Sequence, residues 1–173
     1  MKNILIAGLC IGLMGCSHAR TNVLLSQSEI NGIFGGVTDK YSPTMITLEA
    51  EGKKSAGNIT SLTSAFYGWE DHGYEFGADL GLKYSLTDSF YTKGKIGADY
   101  ESKKFEEQRT HINLHINLEV GFEGKIGERI WTFGGVFDHR SNGNSFLKNI
   151  GIDVNNEPNR GINTIGYQIG VSF

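Results

Sequence analysis

The residue types that could carry chemistry lie together near the C-terminal end of the chain. His139 and Ser141 are separated by a single residue. On a β-strand, residues two apart share one face and stand about 7 Å apart at the backbone, so their side chains can hydrogen-bond. A histidine hydrogen-bonded to a serine hydroxyl can exchange a proton with it, as general acid–base chemistry requires. The pair is therefore a candidate reactive site.

β-Strands must position these residues, because apolar and polar residues alternate with a period of two along most of the chain. The segment 110–123 shows this most clearly, with Ile112 and Leu114 on one face and Asn113 and His115 on the other. The pattern predicts eight strands, at about residues 30–37, 43–51, 58–68, 73–86, 90–101, 110–123, 130–142 and 162–173. The connections between them alternate between short segments and long, polar ones.

The number and length of the strands predict an all-β fold, an eight-stranded antiparallel up-and-down outer-membrane β-barrel. The apolar face would contact lipid, and the terminal Phe173 resembles the end of outer-membrane barrel chains. The polar face would pair its charges across a lumen filled by side chains, which argues against a porin. The charged residues assigned to this lumen are Glu75, Asp79, Lys83, Lys93, Lys95, Asp99 and Glu119. A soluble lipocalin-like barrel or β-sandwich is the alternative, because the period alone does not say which face points outward.

Composition limits the classes of function. The chain has 173 residues, enough for one domain, with a formal net charge of -3 and a pI near 5.9. It therefore lacks the basic character that nucleic-acid binding requires. Its 24 Gly against 2 Pro, with 11% aromatic residues, favour many close-packed strands over a disordered or collagen-like chain.

The N-terminal segment predicts export. A lysine precedes an apolar run over residues 4–13, which is too short to span a bilayer as a helix and is typical of a signal peptide. Cys16 follows a glycine as in a bacterial lipobox, so cleavage before it would leave a lipidated N-terminus. Cleavage after Ala19 by ordinary signal peptidase is the alternative. We expect a signal peptide over 1–19 and a single barrel domain over 20–173, with no disulfide in the mature chain.

The same alternation places the candidate residues on the outer wall. His139 and Ser141 continue the lipid-facing stripe of the seventh strand, and Asn163 has the same outward parity on the eighth. With both termini on the periplasmic side, all three residues lie near the long external connection between these strands. Polar side chains facing lipid at this level are costly, which favours a function for them.

Polar residues of the lumen face predict structural roles. Asp138 and Arg140 predict a charge pair at the lumen rim. His111 and His115 have the spacing of a metal pair, but no cysteine or clear carboxylate accompanies them in the sequence. We therefore interpret both histidines as lumen packing.

The C-terminal motifs resemble those of a known family. Residues 139–142 (His-Arg-Ser-Asn) and 159–161 (Asn-Arg-Gly), followed by a strand that ends in an aromatic residue, are similar to motifs of the lipid A 3-O-deacylases. The motifs fall within residues 139–173, and the strand count agrees over the rest of the chain. The resemblance implies an eight-stranded barrel of the bacterial outer membrane with a Ser-His-Glu triad on its lipid-facing wall.

The resemblance also implies a serine-dependent ester hydrolase. Ser141 would be the nucleophile, and His139 the general base that takes its proton and returns it to the leaving sugar oxygen. The residues that would bind the oxyanion are the backbone after Asn142, at Gly143 and Asn144, and the Asn159 side chain. No metal or cofactor is implied. Lipid A or lipopolysaccharide of the outer leaflet would be the partner, and the sequence leaves open whether the barrel forms a homodimer.

The third member of the triad is where this chain differs from the family. By counting from the C-terminus, the family's acid falls on Asn163. An Asp-to-Asn change at this position of a serine protease costs about 10⁴ in turnover, although Cys-His-Asn triads exist. We expect Asn163 to orient the histidine. Glu157 or Asp153 in the long connection is the alternative, and a third is that no residue takes this role.

Three functions follow from these observations. The first is an outer-membrane esterase that removes a 3-hydroxyacyl chain from lipid A. The second is a catalytically degenerate barrel that serves as a surface or lipopolysaccharide-binding protein, for which Asn163 is the main argument. The third is a soluble exported barrel or lipoprotein module that binds a hydrophobic ligand.

Overall fold

The chain folds into one closed barrel. The computed structural model describes residues 18–30, 43–52, 57–70, 73–102, 111–141 and 162–173. The strands formed by these residues are β1 (His18–Ile30), β2 (Thr44–Gly52), β3 (Ile59–Glu70), β4 (Gly73–Ser85), β5 (Phe90–Glu101), β6 (Ile112–Ile126), β7 (Arg129–Ser141) and β8 (Ile162–Ser172). Each strand pairs antiparallel with its neighbours in sequence, and β8 pairs with β1. The predicted up-and-down barrel is confirmed. Among the described residues, no helix is long and apolar enough to cross a membrane.

The outer wall of the barrel is apolar and the lumen is polar. On β6, Ile112 and Leu118 are exposed, whereas Asn113 and Glu119 are buried. All the charged residues assigned to the lumen from the sequence are buried. Because a soluble barrel or sandwich would bury its aliphatic face and expose its charges, that alternative is wrong. The outer wall instead matches a hydrocarbon environment.

Buried ion pairs fill the lumen in layers. Near the periplasmic end, Arg20 contacts Glu51 at 2.5 Å and Glu123 at 2.9 Å. In the middle, Lys93 Nζ lies 2.7 Å from Glu49 Oε1, and the side chains of both residues are fully buried. Each layer joins strands from opposite sides of the barrel. A charge in this position is stable only with its partner, because a lone ion in a low-dielectric interior is costly.

Closure of the barrel sets the tilt of its strands. Following paired residues once around the barrel from Ser141 leads back to β7 at Trp131, a shift of ten residues. The intervening partners are, in order, Leu114, Ala98, Ala78, Ala65, Leu48, Val23 and Val171. With strands about 4.8 Å apart and a rise of about 3.3 Å per residue, this shift tilts the strands by about 40° from the barrel axis. The paired residues followed from Ser141 lie first on β6, and the circuit returns to β7 nearer its periplasmic end. A line parallel to the barrel axis from Ser141 toward the periplasmic end therefore crosses β6 and then β5.

The first strand differs from the prediction. The sequence pattern predicted it at about residues 30–37, but β1 is His18–Ile30, and residues 31–42 lie outside the described part. Alternation along β1 is weak because Leu24 is turned into the lumen beside the polar residues Asn22 and Ser26. Pairing with β2 and β8 overrides this weak local pattern, since a barrel in a membrane must leave no open edge. The other seven predicted strands are confirmed to within a few residues of their ends.

The predicted signal peptide, residues 1–19, lies almost entirely outside the described residues. Its last two positions form the start of β1. Cleavage before Cys16 would keep β1 whole, whereas cleavage after Ala19 would leave it to begin at Arg20. Arg20 is kept in both cases, which agrees with its ion pairs to Glu51 and Glu123 in the lumen.

The central ion pair of the lumen gives a test of the fold. Replacing Lys93 by Met leaves the buried Glu49 carboxylate with only the more distant Lys95 ammonium, at 3.5 Å, and removes the cation 3.4 Å from Glu119. We therefore expect the free energy of unfolding to fall by about 3–5 kcal/mol. The matched control is Lys125→Met on the exposed end of β6, which we expect to change it by less than about 0.5 kcal/mol. Urea unfolding of the barrel refolded into lipid vesicles measures both values. Equal stability of the two variants would contradict the ion-pair account.

Candidate active site

A hydrogen bond between adjacent strands defines the site. His139 of β7 and Asn163 of β8 are paired residues. His139 Nδ1 lies 2.8 Å from Asn163 Oδ1, so the ring donates its Nδ1–H to the amide oxygen. In the neutral imidazole this leaves the lone pair on Nε2, the nitrogen that can accept a proton. Asn163 is only 9% exposed.

Ser141 completes the group at the external end of β7. It is the last residue of the strand and is half-buried opposite Leu114 of β6. Residues two apart on a strand point to the same face, so Ser141 and His139 share the outer wall with about 7 Å between their Cα atoms. The structure therefore places His139 and Ser141 on the same face of β7 and joins His139 to Asn163, and the catalytic roles of the three residues remain predictions.

Aliphatic side chains surround this polar group on the lipid-facing wall. Ile116 pairs with His139, and Leu114 pairs with Ser141. Ile165 follows on β8, and its side chain is 49% exposed. Polar residues in hydrocarbon are costly unless they pair with one another, so the His139–Asn163 hydrogen bond lowers the cost of placing both there.

Arg140 anchors the strand end from the lumen side. Its side chain points inward between His139 and Ser141 and is 2% exposed. Its Nε donates to Asp138 Oδ2 at 2.6 Å, which confirms the predicted pair. Arg140 also contacts Glu75 on β4 and Glu101 on β5. These contacts tie β7 to the opposite wall and thereby fix the height of the two outward residues.

The sequence did not identify the acidic partners of Arg140 on other strands, Glu75 and Glu101. Alternation alone assigned Glu75 to the lumen, but it could not say which lumen residues meet. That depends on the register between strands and on the diameter of the closed barrel. Aligning the predicted strands by their external ends would have placed Glu75 and Glu101 at the same level as Arg140. Each of the three residues lies within two residues of the external end of its strand.

The two remaining histidine predictions have different outcomes. His115 is packed in the lumen, where its Nδ1 lies 3.2 Å from Asp99 and its Nε2 contacts Asp79. His111 precedes β6, and its ring stacks on Tyr100 with centroids 5.4 Å apart. The prediction of lumen packing is confirmed for His115. It is wrong for His111, because β6, along which side chains alternate between the lumen and the outer wall, begins only at Ile112. The described residues contain no group of three or more His, Cys, Asp or Glu that could hold a metal ion.

Several predicted residues lie outside the described part of the chain. They are the possible lipidation residue Cys16, the oxyanion residues Asn142, Gly143, Asn144 and Asn159, and the alternative acids Asp153 and Glu157. Their roles remain predictions.

Solved structures with the same fold are found among outer-membrane proteins. The outer membrane enzyme PagL superposes with a TM-score of 0.58 at 13% identity, covering 88% of this chain and 98% of PagL. Neisserial surface protein A superposes with a TM-score of 0.55 at 11% identity, covering 88% and 94% of the two chains. The Yersinia pestis outer membrane protein Ail gives 0.51 at 10% identity, covering 89% and 99%. This chain has the eight-stranded barrel fold of these outer-membrane proteins.

The similarity of this outer-membrane barrel to known proteins is confined to its fold. No protein-family model and no curated protein sequence matches the chain. The similar structures include both an enzyme and a surface protein. Chemistry must therefore be argued from the His139, Asn163 and Ser141 side chains of this barrel.

Proposed function

We propose that this outer-membrane barrel is an esterase that removes an ester-linked 3-hydroxyacyl chain from lipid A. The observation that carries the proposal is the hydrogen bond from His139 Nδ1 to Asn163 Oδ1 on the lipid-facing wall, beside Ser141. This bond selects the tautomer in which Nε2 can act as a base. Ser141 is the last residue of β7, and we place this external strand end at the depth of the acyl esters of an outer-leaflet lipid.

The residues act in the order of a serine hydrolase. His139 Nε2 takes the proton of the Ser141 hydroxyl as its oxygen attacks the ester carbonyl carbon. The sugar oxygen then leaves with that proton, and an acyl-serine ester remains. A water molecule, deprotonated by the same Nε2, attacks this ester and releases the 3-hydroxy fatty acid. The other product is lipid A that lacks one acyl chain.

The oxyanion of each tetrahedral intermediate requires hydrogen-bond donors. We assign this role to the backbone amides of Gly143 and Asn144, next to Asn142, and to the side-chain amide of Asn159, on the resemblance to the deacylase motifs. Such donors are worth about 10² to 10³ in turnover each, because they meet the charge where it develops. The position of Gly143 and Asn144 two and three residues after the nucleophile supports the assignment of the backbone amides.

Asn163 gives this site a neutral orienting residue. Its carbonyl oxygen fixes the ring as a carboxylate would, but it adds no negative charge to stabilise the imidazolium formed during attack. We therefore expect turnover to be slower than in a site with an acid, while the direction of proton transfer is kept.

A non-enzymatic surface protein is the second candidate function. The neutral Asn163 favours this alternative, because a protein that only binds lipid needs no acidic residue to make His139 a stronger base. Neisserial surface protein A has the same fold, and Ail of that fold has been seen in complex with the heparin analogue sucrose octasulfate. In this alternative the same outer wall would bind lipopolysaccharide without cleaving it.

Lipid A analysis separates the two candidates. Mass spectra of lipid A from cells that express the wild-type barrel should show loss of one hydroxyacyl chain. Ser141→Ala should abolish this loss because it removes the nucleophile. Ser61→Ala is the matched control, since Ser61 is an exposed serine on β3 away from the site. Unchanged lipid A with a wild-type barrel shown to be in the outer membrane would support the surface protein.

The role of Asn163 is tested by restoring an acid. Asn163→Asp should raise kcat about 10- to 100-fold near neutral pH, because the converse change in serine proteases lowers it by about 10⁴. Asn163→Leu should lower kcat, since it removes the acceptor of the Nδ1–H. Hydrolysis of a lipid ester by the purified barrel in detergent measures both effects. If Asn163→Asp has no effect and Glu157→Gln abolishes turnover, Glu157 is the orienting residue and this assignment is wrong.

A further inference from the structure

The tilt of the strands determines which part of the wall lies beneath Ser141. Acyl chains in a bilayer extend along the membrane normal, and the strands of this barrel are inclined to it by about 40°. A chain that starts at Ser141 and runs toward the membrane centre therefore leaves β7. It crosses onto β6 and then onto β5, as the register around the barrel requires.

This path ends at a glycine. Ser141 pairs with Leu114, Leu114 pairs with Ala98, and Gly94 lies four residues beyond Ala98 toward the periplasmic end of β5. Gly94 is thus two strands across and four residues down, about 16 Å from Ser141. The line from Ser141 to Gly94 makes an angle of about 36° with the strands. The strands are tilted by about 40° from the barrel axis, so Gly94 lies almost directly beneath Ser141.

The wall along this path is aliphatic and ends in a recess. Leu114, Ile116 and Leu118 are 36%, 48% and 50% exposed. Gly94 lies between its paired residues Leu82 and Leu118, and it presents no side chain between them. A Cβ atom added at Gly94 would find only Leu118 Cδ2 nearby, at 3.8 Å. The recess is therefore open to a ligand from the lipid side.

We propose that the recess at Gly94 receives the end of the acyl chain and sets the chain length that the site handles best. This inference rests on the proposed esterase function. Carbon–carbon bonds of about 1.5 Å advance an extended chain by about 1.25 Å per carbon. The distance of about 16 Å therefore corresponds to an acyl chain of about 13 carbons, so dodecanoyl and tetradecanoyl chains fit. The end of a longer acyl chain extends beyond the recess, and the end of a shorter chain does not fill it.

A pair of glycine variants tests the inference. Gly94→Leu fills the recess without a steric conflict, because the nearest atom to a Cβ there is at an ordinary contact distance. Gly135→Leu is the matched control. Gly135 is an outward glycine of β7 with no atom within 4 Å of an added Cβ, and it lies beneath the β8 side of the barrel rather than beneath Ser141. The substrates are esters with saturated chains from octanoyl to hexadecanoyl.

We expect Gly94→Leu to lower kcat/KM for the tetradecanoyl ester at least about threefold relative to the octanoyl ester. Gly135→Leu should leave this ratio as in the wild type. An unchanged ratio in Gly94→Leu, or the same change in both variants, would overturn the inference while hydrolysis by the wild type still supports the esterase.

A separate binding measurement covers the case in which the wild type cleaves no ester, so that the proposed function itself fails. Ether-linked analogues with the same chains are then titrated against the wild type and Gly94→Leu in detergent. Weaker binding of only the longer analogues to Gly94→Leu would support the recess as a chain-end site. Equal binding to both proteins would overturn it.

Discussion

The pairing of β1 with β8 is the constraint on which the rest of this structure depends. A strand in hydrocarbon has no water to satisfy its backbone, so the sheet must close on itself. Here the closure shifts the register by ten residues and thereby fixes both the diameter and the tilt. These two quantities decide which charges meet in the lumen. They also bring His139 beside Asn163 and place β6 and β5 beneath Ser141.

Charge and chemistry are divided between the two faces of each strand. The lumen contains the ionised groups, each tied to partners on other strands, as Lys93 is tied to Glu49. The outer wall contains aliphatic residues and a small polar group in which Asn163 is neutral. At the external end of β7, successive residues face the lumen and the outer wall in turn. Arg140 binds acidic side chains in the lumen while its neighbours His139 and Ser141 face lipid, so the ion pairs that stabilise this strand end also hold the proposed reactive residues.

The period of two was enough to predict the barrel, its polar lumen and the outward position of His139 and Ser141, because residue parity on a strand needs no tertiary information. It failed for β1, whose mixed faces are held by pairing with β2 and β8 rather than by their own pattern. It also failed for His111, which lies one residue before its strand begins. The contacts of Arg140 with Glu75 and Glu101 and the recess at Gly94 depend on the register around the closed barrel, which no single segment of sequence encodes.

The central claim is that Ser141 is a nucleophile activated by His139. Labelling of the barrel in outer-membrane vesicles with a fluorophosphonate tests it directly, because such probes react only with activated serines. The adduct is then located by tandem mass spectrometry of the digested protein. The account predicts one adduct, on Ser141, that is lost in His139→Gln. An unlabelled wild-type barrel, or labelling of Ser141 that persists unchanged in His139→Gln, would contradict it.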